Sequence, residues 1–194
     1  FKEFGRTNPT LPLTDAGNII QGNACRIDWE EVCPKGKDDE IYILGNPPYL
    51  GSRNQNKEQK EDLKFVFDKD YKSLDYIAAW FYLAANYLRE SSVKIAFVST
   101  NSISQGEQVS LTWPRILKDT IEINFAHKSF KWENNAKSNA AVTVVIIGLS
   151  IKTNRKKYLF NNNLKSLVSN INPYLVNTRN IYIYSRSNPL SDFP

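Results

Sequence analysis

Gly45-Asn46-Pro47-Pro48-Tyr49 is the stretch of this 194-residue chain whose residue types and spacing best suit chemistry, and it follows directly on the apolar run Ile41-Tyr42-Ile43-Leu44. A conjugated amino nitrogen such as adenine N6 is a poor nucleophile because its lone pair is delocalised into the adjoining π system. Two carbonyl oxygens that accept its N–H groups favour a more tetrahedral nitrogen, whose lone pair can face a methyl donor. The side chain of Asn46 can supply one carbonyl and the backbone of Pro47 the other. Pro47 and Pro48 lack N–H groups and have fixed φ, so the Pro47 carbonyl can be held pointing into a site. Tyr49 offers a ring face on which a base drawn out of a duplex can stack. In isolation Asn-Pro-Pro-Tyr is an ordinary turn; here a strand precedes it and a polar loop and a helix follow, which turns the balance towards function.

The elements that must hold these residues can be read from periodicity. Ile41 to Leu44, closed by Gly45, has the pattern of a strand buried on both faces of a parallel sheet, and ligands of open α/β sheets bind at the carboxyl ends of such strands. From Gly51 to Lys60 the chain is polar and basic, a loop whose Arg53, Lys57 and Lys60 either meet phosphates or stay solvated. Leu74, Ile77, Ala78, Phe81, Ala85 and Leu88 recur at helical spacing and predict one long amphipathic helix. Val93 to Ser99, Ile121 to Ala126 and Ala140 to Leu149 read as strands, with a helix over 108–118 that Pro114 starts or kinks. The last two strands are joined by too short a link for a parallel crossover and are expected to pair antiparallel. The fold class is therefore α/β, a mostly parallel sheet with a terminal antiparallel strand. Upstream, residues 1–18 are rich in breakers, Asn18 to Ala24 reads as a short strand and Asp28 to Glu40 as a charged loop. A domain boundary is expected near residue 155, with 156–194 forming a linker and the start of another module.

Composition narrows the partners. With 25 basic and 20 acidic residues the chain carries a formal net charge of +5, which favours a polyanion modestly. Cys25 and Cys33, with the single His127, do not make a metal site, so no metal is expected; reduced thiols fit the cytoplasm. His127 has no carboxylate or nucleophile spaced around it and reads as structural. No apolar stretch has the length of a membrane span. The chain begins at Phe1 and contains no methionine, and is expected to be an internal piece of a longer polypeptide.

Asn-Pro-Pro-Tyr resembles the motif shared by adenine- and cytosine-amino DNA methyltransferases, RNA guanine methyltransferases and the glutamine methyltransferases of release factors. Three further stretches, Ile20 to Trp29, Trp132 to Val142 and Ile171 to Val176, are similar to the MmeI-like type II restriction-modification family, whose polypeptide joins an endonuclease, a methyltransferase and a target-recognition domain. The resemblance implies a partial class I methyltransferase fold, Rossmann-like, and transfer of methyl from S-adenosylmethionine to N6 of an adenine flipped out of double-stranded DNA. It implies that Asn46, Pro47, Pro48 and Tyr49 are catalytic and that Asn23, Ala24 and Asn46 contact the cofactor. Tyr49, with Trp132 or Phe130 on the connection between the final strands, would stack on the base. Mg2+ would serve a nuclease domain that lies outside this chain.

No Gly-x-Gly precedes the motif, so the loop that cradles the methionine part of the cofactor is not in this sequence, and the fragment alone is expected to be inactive. The rival readings are a protein glutamine methyltransferase using the same turn on a planar amide, and a non-catalytic DNA-binding fragment. Recognition sequence and oligomeric state have no signature here.

Overall fold

The computed structural model describes residues 17–89, 92–118, 120–132 and 142–186, and its six strands form one mixed sheet in the order β1-β2-β4-β3-β5-β6. These are β1 (Tyr42–Gly45), β2 (Lys94–Thr100), β3 (Ile121–Trp132), β4 (Val142–Ile151), β5 (Lys157–Asn161) and β6 (Leu164–Val168). β1 pairs parallel with β2 and β3 with β5, while the other three pairings are antiparallel. The expectation of a mostly parallel sheet closed by a terminal reversed strand is thus met only in part. The reversed strand, β4, is inserted between β2 and β3, and a second, β6, ends the sheet. Burial explains the insertion: Val144, Val145, Ile147 and Leu149 are buried, and a strand this apolar is best covered when neighbours pair along both its edges. At Gly148 a side chain has no room, since a Cβ there would come within 2.2 Å of the Phe125 ring, beside the irregularity in β3 between Ile123 and Phe125.

Among the described residues four α-helices accompany the sheet: α1 (Trp29–Val32), α2 (Lys57–Phe67), α3 (Ala78–Leu88) and α4 (Gly106–Ile116). α2 begins inside the stretch expected to be a loop because Asn56 and Gln59 close a capping box, Gln59 N donating to Asn56 Oδ1 at 2.9 Å and Asn56 N to Gln59 Oε1 at 3.0 Å. α1 likewise interrupts the expected charged loop, its first turn capped by Asp28, which accepts from Glu30 N. The helix expected from Leu74 starts only at Ala78, because Asp75 Oδ1 accepts from Ile77 N and folds residues 74–77 into a turn. α3 is buried on most sides rather than amphipathic. Its alanines 78, 79, 84 and 85 bring it close to the core, and Phe81 meets Phe97 of β2 and Trp113 of α4 at ring distances of 5.3 and 5.4 Å. Trp113 satisfies its indole N–H on the carbonyl of Ile103 at 2.7 Å. Pro114 lies in the last turn of α4, which ends at Ile116.

Two upstream expectations are corrected. Residues 18–24 do not form a strand: Asn23 O accepts from Arg26 N and Ile27 N in a tight turn, and Ile19 is 95% exposed with no strand beside it among the described residues. β1 is not buried on both faces; its one ladder partner among the described residues is β2, and Leu44 is 74% exposed.

Past residue 155 the sheet continues into the β5–β6 hairpin. β5 is tied to β3 by the buried ion pair Lys157–Glu122 at 3.1 Å, with Lys157 Nζ also donating to Ser169 O and Glu122 Oε1 accepting from Thr153 N. Removing one member strands the other charge. Lys157→Met is expected to cost about 3–5 kcal/mol, seen as a lower urea midpoint, and the double replacement Lys157→Met/Glu122→Leu is expected to recover most of that loss.

Candidate active site

The register of the sheet brings the chemistry-bearing residues to one edge. Gly45 at the end of β1 lies opposite Phe97; β2 runs on to Thr100, which faces Val144, and Val144 in turn faces Phe130. The Asn46–Tyr49 turn, the 3-10 turn Asn101–Ser104 and the end of β3 therefore share the carboxyl-terminal edge of the parallel strands, the edge expected for a ligand.

Within the turn, Asn46 is exposed and its side-chain amide makes no hydrogen bond among the described residues, leaving a carbonyl free for an incoming group. Pro47 is buried, Pro48 exposed, and Tyr49 half-buried against the core. The turn is fixed at its far end. Leu50 N donates to Asp75 Oδ1 at 2.9 Å, and Leu50 O accepts from Tyr76 N at 3.0 Å and from Gln55 Nε2 at 2.8 Å. Gln55 also donates to Leu74 O, and Gln108 of α4 accepts from Asp75 N, both at 2.9 Å. Burial pushes the Asp75 carboxyl above its ordinary value, against the lowering effect of its hydrogen bonds from Ile77, Leu50, Ser102 and Tyr76. Beside this clamp is a pocket of about 290 Å3 lined by Arg53, Asp75, Ser102 and Gln108.

A second polar cluster holds the Asn23 turn. Asp62 of α2, 4% exposed, receives Asn23 Nδ2 at 2.9 Å, Arg26 Nε at 2.7 Å and the Tyr76 hydroxyl at 2.8 Å. Burial opposes ionisation of Asp62, but these three donors and the charge of Arg26 prevail and hold its carboxyl below the usual range. Asn23 Oδ1 accepts from Cys25 N at 2.9 Å. Burial, then the charge of Asp62, raises the Cys25 thiol to about 11, so it stays protonated. Asn23 is exposed, and its amide keeps one N–H and one lone pair unused; the Ala24 N–H is unused among the described residues.

Phe130 and Trp132 lie on β3 itself, not on the connection after it, because pairing with Val144 and Val142 extends the strand to Trp132. Their rings are 6.3 Å apart and Trp132 is partly exposed. The asparagine-rich link over 133–141 falls outside the described residues. Arg53 is exposed on the turn after the motif; Lys57 and Lys60 are exposed on the first turns of α2, Lys57 within 3.8 Å of Glu61. His127 stacks flat on Phe160 at 4.3 Å, and burial lowers its pKa. Among the described residues no group of three His, Cys, Asp or Glu could hold a metal ion, and no helix is long and apolar enough to cross a membrane.

The residues that sequence reasoning missed are the holders: Gln55, Asp62, Asp75, Tyr76 and Gln108. Asp62 sits 39 positions from the Asn23 it binds, a separation that carries no pattern. The one available signal was Asp75-Tyr76, a polar pair set into an apolar helical repeat.

Residues 1–161 match the family model described as "MmeI, DNA-methyltransferase domain". DNA methyltransferase A of Bacillus subtilis (strain 168) is 56% identical over 189 residues, covering 96% of this chain and 22% of that protein. The structure of the Type IIL restriction-modification enzyme MmeI in complex with DNA superposes with a TM-score of 0.85 at 40% identity, over 100% of this chain and 27% of that one. The chain thus spans about a quarter of the length of these relatives.

The two aspartates, Asp62 and Asp75, respond to acid with opposite signs. Asp62, depressed in the folded state, contributes stability that is present above the ordinary aspartate value of about 4 and is lost as pH falls through its lower folded value. Asp75, raised, is destabilising when ionised, and that penalty is relieved as pH falls through its folded value. At pH 7 Asp62→Ala is expected to lower the urea midpoint, with the gap to wild type closing below about pH 4. Asp75→Asn, which keeps the acceptor for Leu50 N, is expected to leave the midpoint unchanged or raise it.

Proposed function

The chain belongs to the MmeI DNA-methyltransferase family, and on that premise we propose that it forms the acceptor side of a DNA adenine-N6 methyltransferase within a longer restriction-modification enzyme. The observation that carries this reading is the exposed amide of Asn46, without a partner among the described residues, at the carboxyl end of a parallel strand on a turn clamped at Leu50. Asn46 Oδ1 and the Pro47 carbonyl accept the two N–H groups of the flipped adenine's amine, and the nitrogen lone pair turns towards the donor. Tyr49 stacks on the base, with Trp132 or Phe130 as a second aromatic contact from the same edge. Arg53, Lys57 and Lys60 meet backbone phosphates.

The cofactor is S-adenosylmethionine, which when bound supplies an electrophilic methyl group. The unused amide functions of Asn23 and the free N–H of Ala24 fit the edge of its adenine, donor for acceptor and acceptor for donor, and Asn46 borders the reacting end. The glycine-rich cradle comes from elsewhere in the parent, whose added strands cover the open edge of β1. Residues beyond β6 lead into the target-recognition module. Any nuclease and its Mg2+ belong to other parts of the parent.

In the intact parent, Asn46→Ala is expected to slow methyl transfer to plasmid DNA by at least about 100-fold, the scale of losing one group that stabilises a transition state, while DNA affinity is retained. Labelled cofactor offered with DNA or with release factor reads the acceptor directly; label on release factor alone, or undiminished DNA methylation by Asn46→Ala, would overturn the assignment. The isolated chain is expected to bind S-adenosylmethionine weakly, and calorimetry showing tight binding would refute the division of the site.

A further inference from the structure

Tyr76 connects the two turns of the site, directly at Leu50 and through Asp62 of α2 to Asn23. Its backbone N–H donates to Leu50 O at 3.0 Å, at the end of the Asn46–Tyr49 turn. Its hydroxyl donates to Asp62 Oδ2 at 2.8 Å, and the same oxygen receives Asn23 Nδ2 at 2.9 Å. A continuous path, Asn23 to Asp62 to Tyr76 to Leu50, thus joins the two turns through the side chains of Asp62 and Tyr76. The ring is held in place: Tyr76 is buried and meets Trp80 edge-on at 4.9 Å. Burial and then the bond to Asp62 raise the hydroxyl far above its ordinary value, so it remains a proton donor at every working pH.

The two turns are not equally secure. The Asn46 turn continues a strand of the sheet, whereas residues 17–24 form no strand and the Asn23 turn is held to α2 through Asp62. Of the three donors on Asp62, Arg26 has a side chain 40% exposed and Asn23 itself is exposed. Tyr76 is the buried donor of the three, and it fixes where the carboxylate sits.

We propose that Tyr76, acting through Asp62, is a positioning residue that sets the Asn23 turn relative to the Asn46 turn, and with it the approach of the methyl donor to the acceptor nitrogen. The proposal rests on the reading that Asn23 faces the cofactor and Asn46 the base. Methyl transfer is sensitive to this spacing, since a displacement of about 1 Å at a reacting centre can cost on the order of 100-fold in rate.

The test uses the intact parent carrying Tyr76→Phe, which removes the hydroxyl alone, and separately Asp62→Asn, which keeps the shape and an oxygen for Tyr76 but loses the charge that Arg26 pairs with. Both are expected to raise KM for S-adenosylmethionine about tenfold, the scale of one hydrogen bond to a charged group, and to slow single-turnover transfer at saturating cofactor. Base flipping, read by 2-aminopurine fluorescence at the target position, is expected to stay at the wild-type level. Wild-type KM and single-turnover rate in Tyr76→Phe would overturn the proposal, as would a flipping signal lost in parallel with transfer, which would mark a residue that only supports the fold. Wild-type parent that methylates adenine, with Asn46→Ala that does not, separates that failure from failure of the functional reading. A wild-type parent producing no N6-methyladenine would overturn both.

Discussion

The peptide group of Leu50 is the constraint on which the Asn46–Tyr49 turn depends. Where the chain leaves β1 it passes through Pro47 and Pro48, neither of which can donate a hydrogen bond to a neighbouring strand. Two prolines make a stiff turn but leave it poorly tethered, and the tether comes at Leu50, whose N–H and C=O are both satisfied by groups lying before α3. The consequence is a turn whose own polar groups stay free. If the amide of Asn46 were what anchored the turn, it could not also bind an incoming amine.

That tether explains features that are otherwise odd. A carboxyl group is buried at Asp75 without an ion-pair partner among the described residues, a costly arrangement that burial alone would not favour. Its acceptor oxygen is spent on Leu50 N and Ile77 N, so one side chain both ends the turn that carries Asn46 and delays the start of α3 to Ala78. Helix α3 then fixes that side chain in turn. With alanines at 78, 79, 84 and 85 it lies close against the core, and Phe81 locks it between β2 and α4 through Phe97 and Trp113. Asp75, with Tyr76 and Gln55, thereby ties the packed core to the turn.

How much of this could be read from the sequence depends on range. The β2, β3 and β4 strands, α4, and the antiparallel return from β3 to β4 follow from local periodicity and link length, and all are present. The position of Asn46 after a strand was legible for the same reason. What was not legible depends on partners: the burial of β1, the strand expected at 18–24, and the insertion of β4 inside the sheet are each decided by what lies alongside. A one-dimensional pattern reports how apolar a strand is, and not which neighbours the fold provides. The capping box at Asn56 and Gln59 is the exception, since its two residues are three apart and its signal was there to be used.

The two turns also differ in electrostatics. Asp62 gathers an arginine, an amide and a phenol and stays ionised; its partners Asn23 and Arg26 are exposed, so this turn is held by polar contacts at the surface. Asp75 gathers backbone N–H groups within a buried turn, without a counter-charge among the described residues, and holds its partner by position. On the proposed assignment, a small diffusible ligand at the Asn23 turn enters and leaves at every turnover, whereas a base delivered by a duplex to the Asn46 turn meets a surface that is ready beforehand. On the same assignment the ionic, half-exposed tether suits the proposed cofactor turn and the buried clamp of backbone donors suits the proposed base turn, with Tyr76 linking the two through its hydroxyl and its backbone N–H.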